Sequence, residues 1–303
     1  MTGKYGRIAL VIFLGVAILT LLSSDAISKA RTKAVTHHKS TPAKAIRSPR
    51  GPVLHSAAVL VKDQSTGRLL IQKRTAAVVP IASITKLMTA MVILDQDENL
   101  QGNLMIQKAD VDRIRHSYSR LPVGATLTRR EAMLLALMSS ENRCAHALGR
   151  TYPGGIRACV AAMNAKARAL GLSKTRFADT TGLANGNVSS ARDLVKLVEA
   201  AYQYGLIREF TTCMETTIYA GRRMLEYRNS NRLIKNPDWD IGLSKTGYTD
   251  EAGRCLVMQA HVANRPLLIV LLDSQGRLTR LGDANRIRKW LEGSSQESPE
   301  RKG

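Results

Sequence analysis

Ser83-Ile84-Thr85-Lys86 places a hydroxyl and an amine three residues apart. On a helix these two side chains share a face. A serine hydroxyl is a weak nucleophile until a base takes its proton. A lysine can be that base only where burial or a neighbouring cation lowers its pKa. At a helix N-terminus the dipole would also favour negative charge developing at Ser83. Two further triplets carry hydroxyls, an amide and a cation: Ser140-Glu141-Asn142, after the apolar stretch Met133–Met138, and Lys245-Thr246-Gly247, at the end of a strand-like run. Singly, each is an ordinary helix cap, turn or strand end. Ser140 follows Ser83 by 57 residues and Lys245 follows Ser140 by 105. In that order, the three supply the parts of a nucleophilic acyl transfer.

The surrounding pattern predicts the elements that hold these parts. Ser56–Lys62 and Arg68–Lys73 read as strands around a turn at Asp63–Gly67, so a hairpin is expected. Ser83–Leu94 reads as a helix with Leu87, Met88, Met91 and Val92 at helical spacing. Thr128–Met138 is a second helix, with Glu131 completing a capping box on Thr128. Ile156–Leu170 and Ser190–Tyr202 continue the helical block. Strands are expected at Thr216–Ala220, Ile241–Lys245, Arg254–Val262 and Pro266–Leu272, and a helix at Asp283–Leu291. Strands, then a helical block, then strands and a helix predict an α+β fold: an antiparallel sheet flanked by helices, with a helical subdomain. The first triplet then falls at a helix start, the second in a loop of the helical block, the third on an inner strand.

Those residues and their order resemble the low-molecular-mass serine D-Ala-D-Ala peptidases, the penicillin-binding class. The chain is most similar to their D-alanyl-D-alanine endopeptidases of the penicillin-binding protein 7 type. The stretches that carry the likeness are Pro80–Leu94 (PIASITKLMTAMVIL), Leu134–Arg143 (LLALMSSENR) and Met163–Leu170 (MNAKARAL). Thr181-Gly182-Leu183, Ser244–Gly253 (SKTGYTDEAG) and Cys255–Met258 (CLVM) complete it. It runs from about residue 53 to 292. The resemblance implies a β-lactamase/transpeptidase-like fold and a set of roles. Ser83 would form an acyl-enzyme, with Lys86 as its base and Ser140 as a proton relay to the leaving amine. Asn142 would hold the substrate backbone and orient Lys86. Lys245 would add positive charge and draw an anionic substrate, and Thr246 would bond a carboxylate or the acyl chain. Gly247 completes that motif, and backbone N–H groups of Ser83 and Tyr248 would form an oxyanion hole.

The implied substrate is the peptidoglycan crosslink, cut between D-alanine and diaminopimelate, with β-lactams as covalent inhibitors. Two alternatives stay open: a carboxypeptidase trimming pentapeptides, and a non-catalytic wall-binding protein. Carboxypeptidases of this class usually add a β domain and an amphipathic C-terminal anchor, whereas this chain ends about ten residues after its last expected helix. A class A β-lactamase adds a glutamate four residues before an asparagine between the second and third motifs, and no Glu from 143 to 244 has that partner. Fast β-lactam hydrolysis is therefore not expected.

Composition sets the context. The 303 residues carry a net charge of +21, and aromatics make up 4%. No nucleic-acid motif accompanies the charge, so no nucleic-acid partner is expected. Seven Lys or Arg and no acid lie between Lys29 and Arg50, so the basic linker is a candidate contact for anionic membrane or wall polymer. Lys4 and Arg7 precede Ile8–Leu22, a run of 15 uncharged residues, and small residues at Ser24-Asp25-Ala26 follow. This is the layout of an export signal, cleaved or kept as an anchor, and it predicts a periplasmic protein. The expected organisation is a signal or anchor at 1–26, a basic linker at 27–52, the peptidase domain at 53–292 and a disordered tail at 293–303. Cys144, Cys159, Cys213 and Cys255 form no CxxC pair and have no His at zinc-ligand spacing; buried thiols are the default, with disulfides open in an exported chain. No metal and no cofactor are expected.

Overall fold

In the computed structural model, residues 51–96, 99–221 and 223–296 are described. The expected signal or anchor, nearly all of the basic linker and the end of the tail lie outside them. In chain order the strands are β1 (Ala58–Asp63), β2 (Leu69–Lys73), β3 (Val79–Pro80), β4 (Asn103–Met105), β5 (Thr126–Thr128), β6 (Val188–Ser189), β7 (Glu215–Ala220), β8 (Arg223–Arg228), β9 (Asp240–Thr249), β10 (Gly253–Val262) and β11 (Arg265–Ser274). The helices are α1 (Thr85–Leu94), α2 (Arg129–Met138), α3 (Asn142–Arg150), α4 (Gly155–Ala169), α5 (Ala191–Ala201), α6 (Gly205–Thr212) and α7 (Thr279–Gln296).

Side chains alternate across a strand, and here both faces are covered. Strands β2-β1-β11-β10-β9 form one antiparallel sheet in that order. Leu60, Val257, Leu268 and Val270 point into the core shared with the helical block. Val61, Met258, Ile269 and Leu271 point into a second core with Ala284, Ile287 and Leu291 of α7. Double coverage explains why β11 reads as an unbroken apolar run instead of an alternating one. The expected hairpin is β1–β2, with the Asp63 carboxylate accepting from the N–H groups of Ser65 and Thr66.

Helix α1 is the axis of the helical block. Thr85 to Ile93 are all buried, so the expected apolar stripe extends round the whole helix. A helix covered on all sides belongs in a core, which fixes its first turn relative to the sheet. The capping box on α2 forms as expected: Thr128 Oγ1 accepts from Glu131 N, and Glu131 Oε2 accepts from Thr128 N.

Four differences from the sequence reading matter. Asn142 opens α3 instead of lying in a loop, because Cys144, Ala145, Ala147 and Leu148 bury one helical face. Helix α6 and strand β8 were not anticipated. Helix α7 begins at Thr279 and runs to Gln296, five residues past Leu291, into the expected tail. It is tied to the start of β1 by Asp283, whose carboxylate accepts from His55 N, Ser56 N and Ser56 Oγ. All four cysteines are free; Cys144, Cys159 and Cys255 are buried, and burial pushes the Cys159 thiol up to about 12 and Cys255 to about 11.

Candidate active site

The first motif lies on a single 3-10 turn, Ala82–Ile84, that runs straight into α1. Ser83 is half-buried on that turn and Lys86 is fully buried one turn on. Their side chains meet: Lys86 Nζ lies 2.7 Å from Ser83 Oγ. Two more oxygens close on the same nitrogen, Asn142 Oδ1 at 2.8 Å and the Thr181 carbonyl at 2.7 Å. Burial holds the Lys86 amine down at about 7, against the pull of Asp179 and Glu141 toward the charged form.

Stereochemistry then assigns the hydrogens. A neutral amine has two N–H bonds and one lone pair. A carbonyl and the amide oxygen of asparagine are acceptors only. With Lys86 neutral, those two oxygens take both hydrogens. The lone pair is left for the third neighbour, and Ser83 donates its hydroxyl proton to it.

The second and third motifs meet on the other wall. Ser140 caps the end of α2 with φ of +65°, and Lys245 Nζ on β9 donates to its Oγ at 2.9 Å. Lys245 also donates to the Thr246 carbonyl at 3.0 Å. It is fully buried, and burial, then the charges of Lys86 and Arg280, push its amine far below the usual lysine range. Thr246 Oγ1 bonds Ser230 Oγ at 2.8 Å, and the half-exposed Tyr248 donates to Asp250 Oδ1 at 2.7 Å. The structure therefore brings Ser83, Lys86 and Asn142 into one hydrogen-bonded group and Ser140, Lys245 and Thr246 into a second near it, with Gly247 and Tyr248 following on the same strand.

The backbone is strained where these groups form. Ala82 and Ser140 have φ of +47° and +65°, in the left-handed region that costs a non-glycine residue roughly 1–3 kcal/mol. Two glycines make room beside Ser83. A Cβ on Gly182, whose φ is +85°, would stand 2.0 Å from the Ala82 carbonyl oxygen; one on Gly247 would stand 2.8 Å from that of Ile81. These close approaches give Thr181-Gly182 and Lys245-Thr246-Gly247 their physical reason: both segments run against the turn that carries Ser83.

Several supports carried no sequence signal. Asp179 accepts from the N–H groups of Thr181, Gly182 and Ala184, folding the turn that presents the Thr181 carbonyl. Ser117 Oγ accepts from Asn142 Nδ2 at 2.9 Å. Arg115, on the same loop as Ser117, donates Nε to the Leu183 carbonyl at 2.7 Å and also bonds Asn185. It pairs with Glu251 at 2.7 Å, and Glu251 is held down at about 2 by its own backbone N–H, Asn185 and Arg115. Arg280, on α7, places Nε and Nη1 in buried surroundings without a hydrogen-bond partner. Only the fold brings that guanidinium near Lys245. Among the described residues, no group of three or more His, Cys, Asp or Glu is arranged to hold a metal ion.

A family model described as D-alanyl-D-alanine carboxypeptidase matches residues 44–276. A D-alanyl-D-alanine endopeptidase of Pseudomonas aeruginosa is 49% identical over 242 residues, covering 79% of this chain and 78% of that protein. One of Escherichia coli is 42% identical over 243 residues, covering 80% and 78%. The crystal structure of the Streptomyces K15 DD-transpeptidase superposes with a TM-score of 0.74 at 27% identity, covering 80% of this chain and 99% of that one. With the three motifs assembled on that fold, the chain belongs to the D-alanyl-D-alanine carboxypeptidase family.

Proposed function

We propose that the protein is a penicillin-binding serine endopeptidase that hydrolyses D-alanyl-diaminopimelate crosslinks in peptidoglycan. The observation that carries this reading is the Lys86 amine, buried, held near neutrality, and left with one lone pair facing Ser83. In the first half-reaction Ser83 Oγ attacks the D-alanine carbonyl as Lys86 takes its proton. Backbone N–H groups of Ser83 and Tyr248 bind the oxyanion, a contribution of several kcal/mol in such sites. The C–N bond then breaks. Ser140 passes a proton to the departing nitrogen and is replenished by the proton that Lys86 took from Ser83, which leaves Lys86 neutral again. In the second half-reaction water, deprotonated by Lys86, attacks the ester; its C–O bond breaks and Lys86 returns the proton to Ser83. One water is consumed; a carboxylic acid and an amine are released.

Asn142 orients Lys86 in this scheme and holds the substrate backbone. Lys245, with the charge of Arg280 acting on it, stands beside Thr246, which would bond a carboxylate. A carboxylate there favours the charged form of Lys245 while Lys86 stays neutral. That division relieves the repulsion between two buried amines.

The endopeptidase reading over a carboxypeptidase one is supported by the relatives named above. It places the protein in the periplasm, with residues 53–292 as the peptidase domain. The N-terminal segment would direct export or tether the chain, and the basic linker would face anionic lipid or wall polymer. The test is fluorescent penicillin labelling together with digestion of crosslinked muropeptide dimers. Wild type should label covalently and turn dimers into monomers, and Ser83→Ala should do neither. Label on Ser83→Ala would sink the acyl-enzyme; release of D-alanine without monomers would replace the endopeptidase by a carboxypeptidase.

A further inference from the structure

A cavity of about 430 Å³ opens beside Ser140. One wall is Ser139 and Glu141, the residues on either side of Ser140, and the other is Glu226, Tyr227 and Arg228 of β8; Arg120 closes it from the preceding loop. The chain after β8 leads within two residues to Ser230, whose hydroxyl bonds Thr246 and whose N–H donates to the Met138 carbonyl at 2.9 Å. The cavity therefore begins where the Ser140 turn and the strand carrying Thr246 are tied together. None of its walls belongs to the Ser83–Lys86 contact.

Its walls are built, and they carry both signs of charge. Tyr227 is 3% exposed, with a buried hydroxyl that has no hydrogen-bond partner. The Arg120 guanidinium lies on its ring, 4.3 Å from the centroid, and makes no ion pair among the described residues. Arg228 reaches Glu215 only at 3.7 Å, with both groups exposed. Glu226 is exposed, and Glu141 is buried as the N-cap of α3. Arg120 and Arg228 thus line the recess with little to neutralise them.

The two candidate reactions differ on this side of the cleft. Whatever is attached to the departing nitrogen must extend past Ser140, since that hydroxyl supplies its proton. A carboxypeptidase releases one free alanine there, which is too small to enter the recess while its nitrogen is still at Ser140. Cutting a crosslink releases a whole peptide strand bearing several carboxylates, and its one free amine is the nitrogen just released. We infer that this recess binds the leaving strand of the crosslink, with Arg120 and Arg228 taking its carboxylates. The inference rests on the proposed acyl-enzyme reaction and names the part of the substrate that would make it an endopeptidase.

The experiment compares three reactions of the full chain: dimer cleavage, D-alanine release from a monomeric pentapeptide, and acylation by fluorescent penicillin. Arg120→Ala should raise KM for the dimer by roughly tenfold, the loss of a charge-assisted contact. Pentapeptide turnover and penicillin acylation, which present no leaving strand, should stay within twofold. Arg228→Ala, on an exposed strand position, carries the same test should Arg120→Ala not fold. Dimer cleavage unchanged in a folded variant, or an equal loss on all three substrates, would overturn the pocket. Failure of the wild type to label or to cleave dimers would instead overturn the reaction on which it rests.

Discussion

Lys86 and Lys245 face one cleft from opposite walls, and each is 1% exposed. Each meets a serine hydroxyl, at 2.7 and 2.9 Å, and burial lowers both amines. Their remaining partners differ. Lys86 has two acceptor oxygens from two other segments, Asn142 and Thr181. Lys245 has the carbonyl of its own neighbour, Thr246, and cations beyond. Burial can neutralise an amine, but the acceptors decide where its lone pair points. In the proposed mechanism that difference makes Lys86 the base and Lys245 the electrostatic element.

The largest predicted effect tests this directly. Lys86→Ala should lower the rate of acylation by β-lactam by roughly a thousandfold, in the range expected for a lost general base. Lys245→Ala should lower it by about ten- to a hundredfold, mostly through weaker binding of the anionic substrate, as for removal of a charged hydrogen-bond partner. Stopped-flow acylation over a range of penicillin concentrations separates the two. Equal losses in the limiting rate would erase the distinction between the walls.

A middle-sized effect should fall on one wall only. Arg115 bonds the Leu183 carbonyl on the turn that presents the Thr181 carbonyl, and its own loop carries Ser117, the partner of Asn142. Both acceptors of Lys86 are thus braced through one side chain, anchored in turn on Glu251. Lys245 is not braced this way; its second acceptor is its own neighbour's carbonyl. Arg115→Ala should therefore slow the limiting acylation step by about tenfold, comparable to losing one hydrogen bond to a charged group, with apparent penicillin affinity little changed. A fall in affinity instead would tie Arg115 to the strand wall.

The lysine pair also shows what a sequence can carry. Ser83, Lys86, Ser140, Asn142, Lys245 and Thr246 were legible because each belongs to a short motif of side chains, and the order of motifs outweighs the weakness of each one. The strands around β1, β10 and β11 were legible from their runs of Val, Ile and Leu. The acceptor at Thr181 was not, because it is a backbone carbonyl and its placement depends on a turn built by Asp179 and Gly182. Arg280 lies on α7, and only α7 packing on the sheet brings it to Lys245. Helix α3 escaped the sequence although its apolar and charged faces are well separated, because it is only nine residues long and begins inside the second motif at Asn142.

The smallest effect is a shift in pH dependence. Acylation needs Lys86 neutral, so its rate should fall about tenfold per pH unit below about 7, the value at which burial holds that amine. The charge of Lys86 pushes the Lys245 amine down, and a bound carboxylate would restore the charge of Lys245. With an anionic substrate holding Lys245 charged, removing that cation makes Lys86 easier to protonate, so Lys245→Ala should raise the Lys86 pKa in the complex. The acid limb of the limiting rate then moves to higher pH, by an amount on the order of one unit or less for like charges in a partly hydrated site. Arg115→Ala should move it the same way for a different reason, since a loosened turn lets water reach Lys86 and weakens the burial that depresses it. The two variants should separate in salt: screening reduces a shift that comes from charge more than one that comes from hydration. A limb that stays in place in Lys245→Ala would mean that burial alone sets the base, and that the strand-wall lysine serves only to bind.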